Sequence, residues 1–422
     1  MSIKKSQISA IIFAAIAIVI IIIGTIVFRK QYEQDPVVPG PGVTRITKLS
    51  EWYPNLKGTI NDTDVYILDS GVPGGKFLIW GGTHTDEVAG VMAAYILVEN
   101  MVPTVGCFYI IPHANESAFT NTEPGKGAPD RVYFTLDDGS TRWFRMGSRA
   151  TNPLHQWPDP EMYVHYPSGQ FLAPDEARNF NRVHPGKANG TITQQTAYAF
   201  NQLVTKEGID MVLDMHEAPP EKPLVDAVCA HQDALELVTE LALNLEFDDV
   251  FMRIEQSPVN LHGFSHREMG DHTDTLAILS EEVNLIQGAV HGAINAQSVL
   301  DGQDKFYDIL KKRAIDGENV LQTHWNYETE VARHIETDEP IIITGEPIAY
   351  RSARNLTMIY EMIYTFNDLY PEKPMEAEGI PLMAEIMSYE WDGMKEGKYG
   401  MGLAHYLHSG AKAPAEWKDL WN

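Results

Sequence analysis

The chain has 422 residues, 44% of them hydrophobic and 21% charged, which suffices for one large packed domain or a domain with an accessory piece. Its net charge of −26 at pH 7 excludes nucleic acid as a partner, because neutralising phosphates takes clustered Lys and Arg. Two cysteines, Cys107 and Cys229, exclude a disulfide framework; each stands in an apolar, strand-like run where a buried free thiol is expected.

The first predicted element is an uncharged stretch, SQISAIIFAAIAIVIIIIGTIVF, lying between Lys5 and Arg29. Crossing a bilayer takes roughly 20 apolar residues, and this stretch supplies them. It is longer than the apolar region of a signal peptide, and no small-x-small cleavage site follows before Arg29. Residues 1–30 are therefore expected to form one uncleaved transmembrane anchor. Lys4 and Lys5 before the span nearly balance Arg29 and Lys30 after it, and the free N-terminal amine tips the N-terminus towards the cytoplasm. That orientation would put nearly the whole chain outside the cytoplasm.

QYEQDPVVPGPG follows, a Pro/Gly-rich linker over residues 31–44 that reads as a tether with little capacity to pack. From residue 45 to about 330 the sequence reads as one globular domain with a βα rhythm. KFLIW is a predicted strand, VAGVMAAYILVEN the helix after it, and VGCFYIIP a second strand. A helix over residues 194–206, the strand IDMVLDM, the helix DALELVTELALNL and the strand DTLAILS continue the pattern. Strands alternating with helices predict an α/β fold, a doubly wound mixed sheet covered on both faces. Residues 115–176 break the rhythm and are too long for a connector, as functional loops or lids are. The C-terminal extension, residues 331–422, contains RNLTMIYEMIYTFNDLY, an amphipathic pattern that predicts a helix packed on the main domain.

Two strand ends carry the chemistry. In WGGTHTDEVAG, His84 and Glu87 stand three residues apart at a helix start, so an imidazole and a carboxylate share one side of a turn. In IDMVLDMHEAPP, a strand ends at Asp214, Met215 and His216. Catalytic zinc takes three N/O ligands and keeps a fourth position open, and His84, Glu87 and His216 supply such a set. Asp214 is a candidate carboxylate partner for a ligand. The strand DTLAILS leads into Glu281 and Glu282, one of which is expected to face the metal as the base. Glu217 is a third candidate base. Arg145 and Arg149 read either as groups that polarise a carbonyl or clamp an anion, or as surface residues; Arg178 is similar. His262, His266 and His272 are expected to be hydrogen-bonded loop histidines.

GGTHTDE resembles the G-G-x-H-x-D-E motif of the succinylglutamate desuccinylase/aspartoacylase family, a branch of the zinc carboxypeptidase superfamily. NFNRVHPG resembles that family's D-L-N-R-x-F/Y-P-G segment, VLDMHEA its D-L-H strand, and SEEVNLIQG its L-E-T-x-N-P-x-Q-G segment. The likeness runs roughly from residue 78 to residue 292, with the motifs in order. It implies that His84, Glu87 and His216 are zinc ligands and that Asn181 and Arg182 hold a substrate carboxylate, a task suited to the planar fork of Arg. It also implies that Glu281 is the catalytic Glu, with Glu282 as runner-up. Asn179 stands where the family has Asp, and Leu285 replaces a proline, so the substrate does not follow from the resemblance.

The resulting expectation is a membrane-anchored hydrolase using Zn2+ to cleave an amide bond in a small-molecule or peptide substrate that bears a carboxylate. N-acyl amino acid deacylation comes first, with zinc carboxypeptidase action on peptides as the alternative. A non-catalytic, membrane-tethered binding protein of the same fold is the rival from another class. A serine hydrolase is disfavoured, because no G-x-S-x-G elbow is present.

Overall fold

The computed structural model describes residues 5–122, 128–220, 222, 224–288, 291–319, 323–326, 331–334, 340–341, 345–396, 398 and 400–409. Lys4, which entered the orientation argument, and the end of the C-terminal extension lie outside the described residues.

Helix α1 spans Lys5–Gln31. It is long and apolar enough to cross a membrane, and none of its apolar stretch is buried against protein. Strands β1 (Arg45–Lys48) and β2 (Asp64–Asp69) precede β3 (Lys76–Trp80), helix α2 (Val88–Asn100), β4 (Val102–Val105) and β5 (Cys107–Ile111). Two small hairpins follow, β6 (Arg131–Thr135) with β7 (Thr141–Arg145), and β8 (Tyr163–Val164) with β9 (Phe171–Leu172). Next come α3 (Ile192–Glu207), β10 (Met211–Ala218), β11 (Ala227–Ala230), α4 (Leu235–Phe247), β12 (Arg253–Gln256), α5 (Ser265–His272) and β13 (Leu276–Val283). The C-terminal third contributes α6 (Ala296–Leu300), α7 (Lys305–Ile315), a three-stranded sheet of β14 (Thr323–Asn326), β15 (Val331–His334) and β16 (Pro340–Ile341), then α8 (Ile348–Leu369). Strand β17 (Glu376–Glu378) and helices α9 (Met383–Lys395) and α10 (Met401–His405) complete the described chain.

Eight strands form one mixed sheet in the order β1-β2-β5-β3-β10-β13-β11-β12. The central pairs β5/β3, β3/β10 and β10/β13 are parallel, while β1/β2, β2/β5 and β13/β11 are antiparallel. Side chains alternate across it, as the pleat requires. Phe77, Ile79, Leu213 and Met215 join the core under α2, α4 and α8; Leu78, Trp80 and Val212 join the core under α3. Both faces are covered, which is the doubly wound arrangement that alternating strands and helices imply. Helix α2 is apolar on every side and is buried along nearly its whole length, between the sheet and α8. Cys107 and Cys229 are buried free thiols in β5 and β11.

The Pro/Gly-rich linker differs from its expected looseness. Val38, Pro39, Gly40 and Gly42 are buried, and the Gly40 amide donates to the Val98 carbonyl at 2.9 Å. A Cβ on Gly40 would lie 2.1 Å from the Glu99 carbonyl oxygen, so only glycine allows this approach. Proline contributes in the same direction, because its fixed φ reduces the entropy lost on docking. Asp35 anchors the segment: it accepts from Arg145 Nε at 2.6 Å and from the Tyr95 hydroxyl at 2.7 Å. Burial alone would raise its pKa, yet His113 and Arg145 beside it hold it well below the ordinary carboxylate range. Removing Asp35 leaves the buried Arg145 with Glu116 alone, so the cost stays below the about 3–5 kcal/mol of a fully stranded buried charge. Asp35→Ala is accordingly expected to lower the unfolding midpoint of the whole chain in denaturant. Since the folded pKa is depressed, the wild-type advantage is full above the ordinary carboxylate range and fades as the pH falls below it.

The described residues of the excursion over residues 115–176 form turns and the two hairpins, and Thr85 donates to the Ser148 carbonyl through its amide at 3.2 Å and its hydroxyl at 2.9 Å. The C-terminal extension is not wholly helical, since β17 pairs with β4 at the edge of the domain. Helix α8 packs on α2 and α4 within the same core as the sheet.

Candidate metal centre

The two motif turns meet because the backbone approaches closely. Strand β3 ends at Trp80 and turns through Gly81 and Gly82, the latter at φ +74°, where a side chain is strained. A Cβ on Gly90, in the first turn of α2, would lie 2.6 Å from the Met215 Cβ. The turn that bears His84 and Glu87 is thereby pressed onto β10 one residue from His216.

Three buried side chains converge there, and they form a group able to hold a metal ion. Glu87 Oε1 lies 2.7 Å from His84 Nδ1, and Glu87 Oε2 lies 2.8 Å from His216 Nδ1. The two Nδ1 atoms face each other at 3.2 Å. Their Nε2 atoms point away onto fixed oxygens: His84 Nε2 is 2.9 Å from Asn179 Oδ1, and His216 Nε2 is 2.9 Å from Asp214 Oδ2. Asp214 is held in turn by the Thr83 hydroxyl at 2.8 Å and the Ser265 hydroxyl at 2.6 Å. Oxygens on both Nε2 positions favour the tautomers whose Nδ1 lone pairs point inward, as outer carboxylates and amides do around metal-bound histidines. Two inward lone pairs and one carboxylate are the donor chemistry of a divalent cation site. Asn179, which departs from the family motif, still meets a ligand candidate through its side-chain oxygen.

The electrostatics agree with that chemistry. Burial, with Arg149 nearby, lowers His84 to about 4 against the pull of Glu87, so it is neutral near pH 7. His216 goes the other way: burial disfavours its charge, but Asp214 and Glu87 outweigh burial and raise it well above the ordinary histidine value. In the metal-free protein the two carboxylates thus favour a proton on the His216 ring. A metal must displace that proton, since only the neutral ring binds. Adding zinc to the metal-free chain in weak buffer near pH 7 is therefore expected to release protons, and affinity should fall as the pH is lowered. A pH-stat titration measures both; zinc uptake with no acid release would contradict the assignment of His216.

Strand register separates the two adjacent glutamates. In the parallel pair β10/β13, His216 stands opposite Glu281 and Glu217 opposite Glu282. Glu281 shares the His216 face, half-buried, and its Oε2 has no hydrogen-bond partner. Burial pushes Glu281 up to about 8, with Glu87 and Asp214 adding to the rise and His216 and Arg149 opposing it. Glu282 faces α8 instead, 3.0 Å from Arg354, and Glu217 is paired with Arg351 of the same helix.

The other sequence candidates divide in the same way. Arg182 stacks over the Phe264 ring at 3.9 Å, and burial lowers it to about 10 against the pull of Glu176, Glu281 and Glu87. Asn181 is buried beside it and accepts from the Ser265 amide at 2.8 Å. Arg149 lies over the donor set, with Nη1 3.2 Å from Glu87 Oε1. Arg145 does not join the site: it is buried between Asp35 and Glu116. Arg178 is held by Asp159 at 2.7 Å. His266 and His272 stand on α5 rather than in a loop, and His262 bonds Glu268 at 2.9 Å. Sequence reading missed the pairing of Asn179 with His84 and the roles of Thr83 and Ser265 in holding Asp214, which join residues up to 131 positions apart.

No protein-family model matches the chain, and no curated protein matches it significantly. Its neighbours among solved structures are succinylglutamate desuccinylase/aspartoacylase family members and metallo-carboxypeptidases. A succinylglutamate desuccinylase from a Silicibacter species is 18% identical, with 52% of each chain covered and a TM-score of 0.32. An aspartoacylase family protein from Mesorhizobium loti is 18% identical over 52% of this chain and 55% of its own, with a TM-score of 0.32. A metallo-carboxypeptidase from Burkholderia cenocepacia is 11% identical over 81% of this chain and 68% of its own, with a TM-score of 0.40. The chain spans about half the length of the desuccinylase and aspartoacylase family structures.

Proposed function

We propose that the chain is a zinc-dependent hydrolase that cleaves an amide bond in a carboxylate-bearing substrate, of the N-acyl amino acid deacylase type. In this reading residues 1–30 anchor it in a membrane, residues 31–44 link the anchor to a catalytic domain over 45–330, and 331–422 pack on that domain, outside the cytoplasm. The observation that carries it is the convergence of two inward Nδ1 atoms and both oxygens of Glu87, with the outer nitrogens each 2.9 Å from an oxygen, of Asn179 and of Asp214.

His84, Glu87 and His216 would hold the ion. A zinc ion held there supplies Lewis acidity, which makes water nucleophilic at neutral pH and polarises an amide carbonyl. Glu281, on the same face as His216 and with an oxygen free of partners, takes the proton of the attacking water. It then gives that proton to the departing nitrogen as the C–N bond breaks and the new C–O bond is kept. Without a metal, burial pushes Glu281 up to about 8; a divalent cation beside it would favour the carboxylate that takes the proton. Arg182, with Asn181 beside it, binds the substrate carboxylate and fixes the amide against the base; the planar fork favours two-point capture. Arg149 lies where a carbonyl oxygen or second carboxylate would be received.

The test is metal analysis of the purified full chain, followed by hydrolysis of a panel of N-acyl amino acids and short peptides with and without chelator. One zinc per chain and chelator-sensitive release of an amino acid are expected. Stoichiometric zinc with no turnover on any amide would favour the binding-protein reading instead.

A further inference from the structure

The segment from Leu154 through the β8/β9 hairpin exposes more apolar surface than a water-facing loop needs. Leu154 is 68% exposed, Trp157 74%, Met162 55% and Phe171 69%, with Val164 and Tyr166 also exposed. Large apolar side chains exposed together within one short stretch of chain mark contact sites. Here the chain itself indicates the occupant. The apolar stretch of α1 ends at Phe28, whose ring lies 5.1 Å from that of Tyr32, and Tyr32 meets His155 edge-on at 5.9 Å. Arg131 adds a second clamp, donating to the Lys30 carbonyl and, at 3.1 Å, to Glu33. His155 is the residue next to Leu154 and two from Trp157.

The dimensions fit. Four helical residues from Phe28 to Tyr32 rise about 6 Å, and two residues of extended chain reach about 7 Å. The headgroup layer of each leaflet is roughly 5–8 Å thick, so Tyr32, with His155 against it, stands at that depth if α1 crosses the hydrocarbon, and Leu154 is next to His155 in the chain. Trp and Tyr are the side chains that concentrate at that depth. We propose that residues 152–172 are a membrane-docking surface, seated in the interfacial layer of the same bilayer that α1 spans. The proposal rests on reading α1 as a membrane span. With a net charge of −26, the domain is suited to zwitterionic rather than anionic lipid.

Docking there has a consequence for the candidate site. Gln156 Nε2 donates to the Ala177 carbonyl at 2.8 Å, Asp159 holds Arg178 at 2.7 Å, and the Tyr163 hydroxyl donates to the Arg182 carbonyl at 3.2 Å. The docking segment is therefore bonded directly to the loop that carries Asn179, Asn181 and Arg182.

The experiment uses the full chain reconstituted in phosphatidylcholine vesicles containing doxyl-labelled phospholipids. Leu154→Cys and Trp157→Cys each receive an environment-sensitive fluorophore; the native Cys107 and Cys229 are buried and do not compete. Ile16→Cys within α1 marks the hydrocarbon, and Phe247→Cys at the end of α4, on the opposite face of the sheet from Tyr163, marks water. Severalfold stronger quenching at positions 154 and 157 than at 247, by shallow doxyl groups more than by deep ones, is expected. Labels at 154 and 157 that behave like the one at 247, while the one at 16 is still quenched by deep doxyl groups, overturn the docking and leave the span intact. An unquenched label at 16 overturns both. A blue-shifted but unquenched label at 154 and 157 means that protein covers the patch, which also overturns the proposal.

Discussion

Glu281→Gln is expected to lower kcat on the best amide substrate by about 10²–10⁴-fold, the usual contribution of a positioned general base, with zinc content unchanged. Gln keeps the size of the side chain but neither takes up nor returns a proton. The neighbouring substitution Glu282→Gln is expected to leave kcat within a few-fold of wild type. Glu282 is fully buried on the α8 face, where burial, with Asp226, Glu346 and Glu217 nearby, raises it well above the ordinary carboxylate range against the pull of Arg354. Its side chain faces Arg354 at 3.0 Å, away from His216, so an amide of the same shape there changes a contact with α8 and not the reacting groups. Steady-state kinetics on the two variants, with metal analysis of each, separate the roles. Loss of turnover in Glu282→Gln but not in Glu281→Gln would reverse the assignment.

His216→Ala is expected to abolish stoichiometric zinc and to reduce turnover by about 10³-fold or more, equivalent to about 4 kcal/mol at 1.36 kcal/mol per tenfold. The loss goes beyond one ligand. Asp214 and Glu87 are both buried and both lie within 2.9 Å of this ring, so its removal leaves two carboxylates without their common cation. An unpaired buried charge of this kind costs about 3–5 kcal/mol, and the metal-free variant should unfold at correspondingly lower denaturant. Zinc analysis, kinetics and denaturation on the same preparation distinguish a lost metal from a lost fold. Wild-type zinc content and turnover in His216→Ala would remove the basis of the proposed chemistry.

The legible part of this protein was whatever local pattern carries. The apolar runs at KFLIW and VAGVMAAYILVEN became β3 and α2 with the predicted bounds, because burial on both faces leaves an uninterrupted hydrophobic signal. Two strand ends, each with a histidine, pointed to one site because parallel strands bring their carboxyl ends to the same edge of the sheet. The linker was misread for an equally physical reason. Composition reports how little a Pro/Gly segment has to bury, but it does not report that Glu99, Val98 and Arg145 present a groove and an ion pair to receive it.

By itself, then, the sequence determined the alternating α/β order, the uncharged N-terminal helix and the residue types available at the strand ends. Tertiary structure alone decided which of those residues meet. Glu281 and Glu282 are neighbours in the chain and equal in chemistry, yet the pleat sends one to His216 and the other to Arg354. The same holds for Asn179 on His84, Asp214 on His216, and Tyr32 on His155. Such contacts join residues far apart in the chain, and their free energy depends on distance and burial, quantities that exist only once the backbone has closed around them.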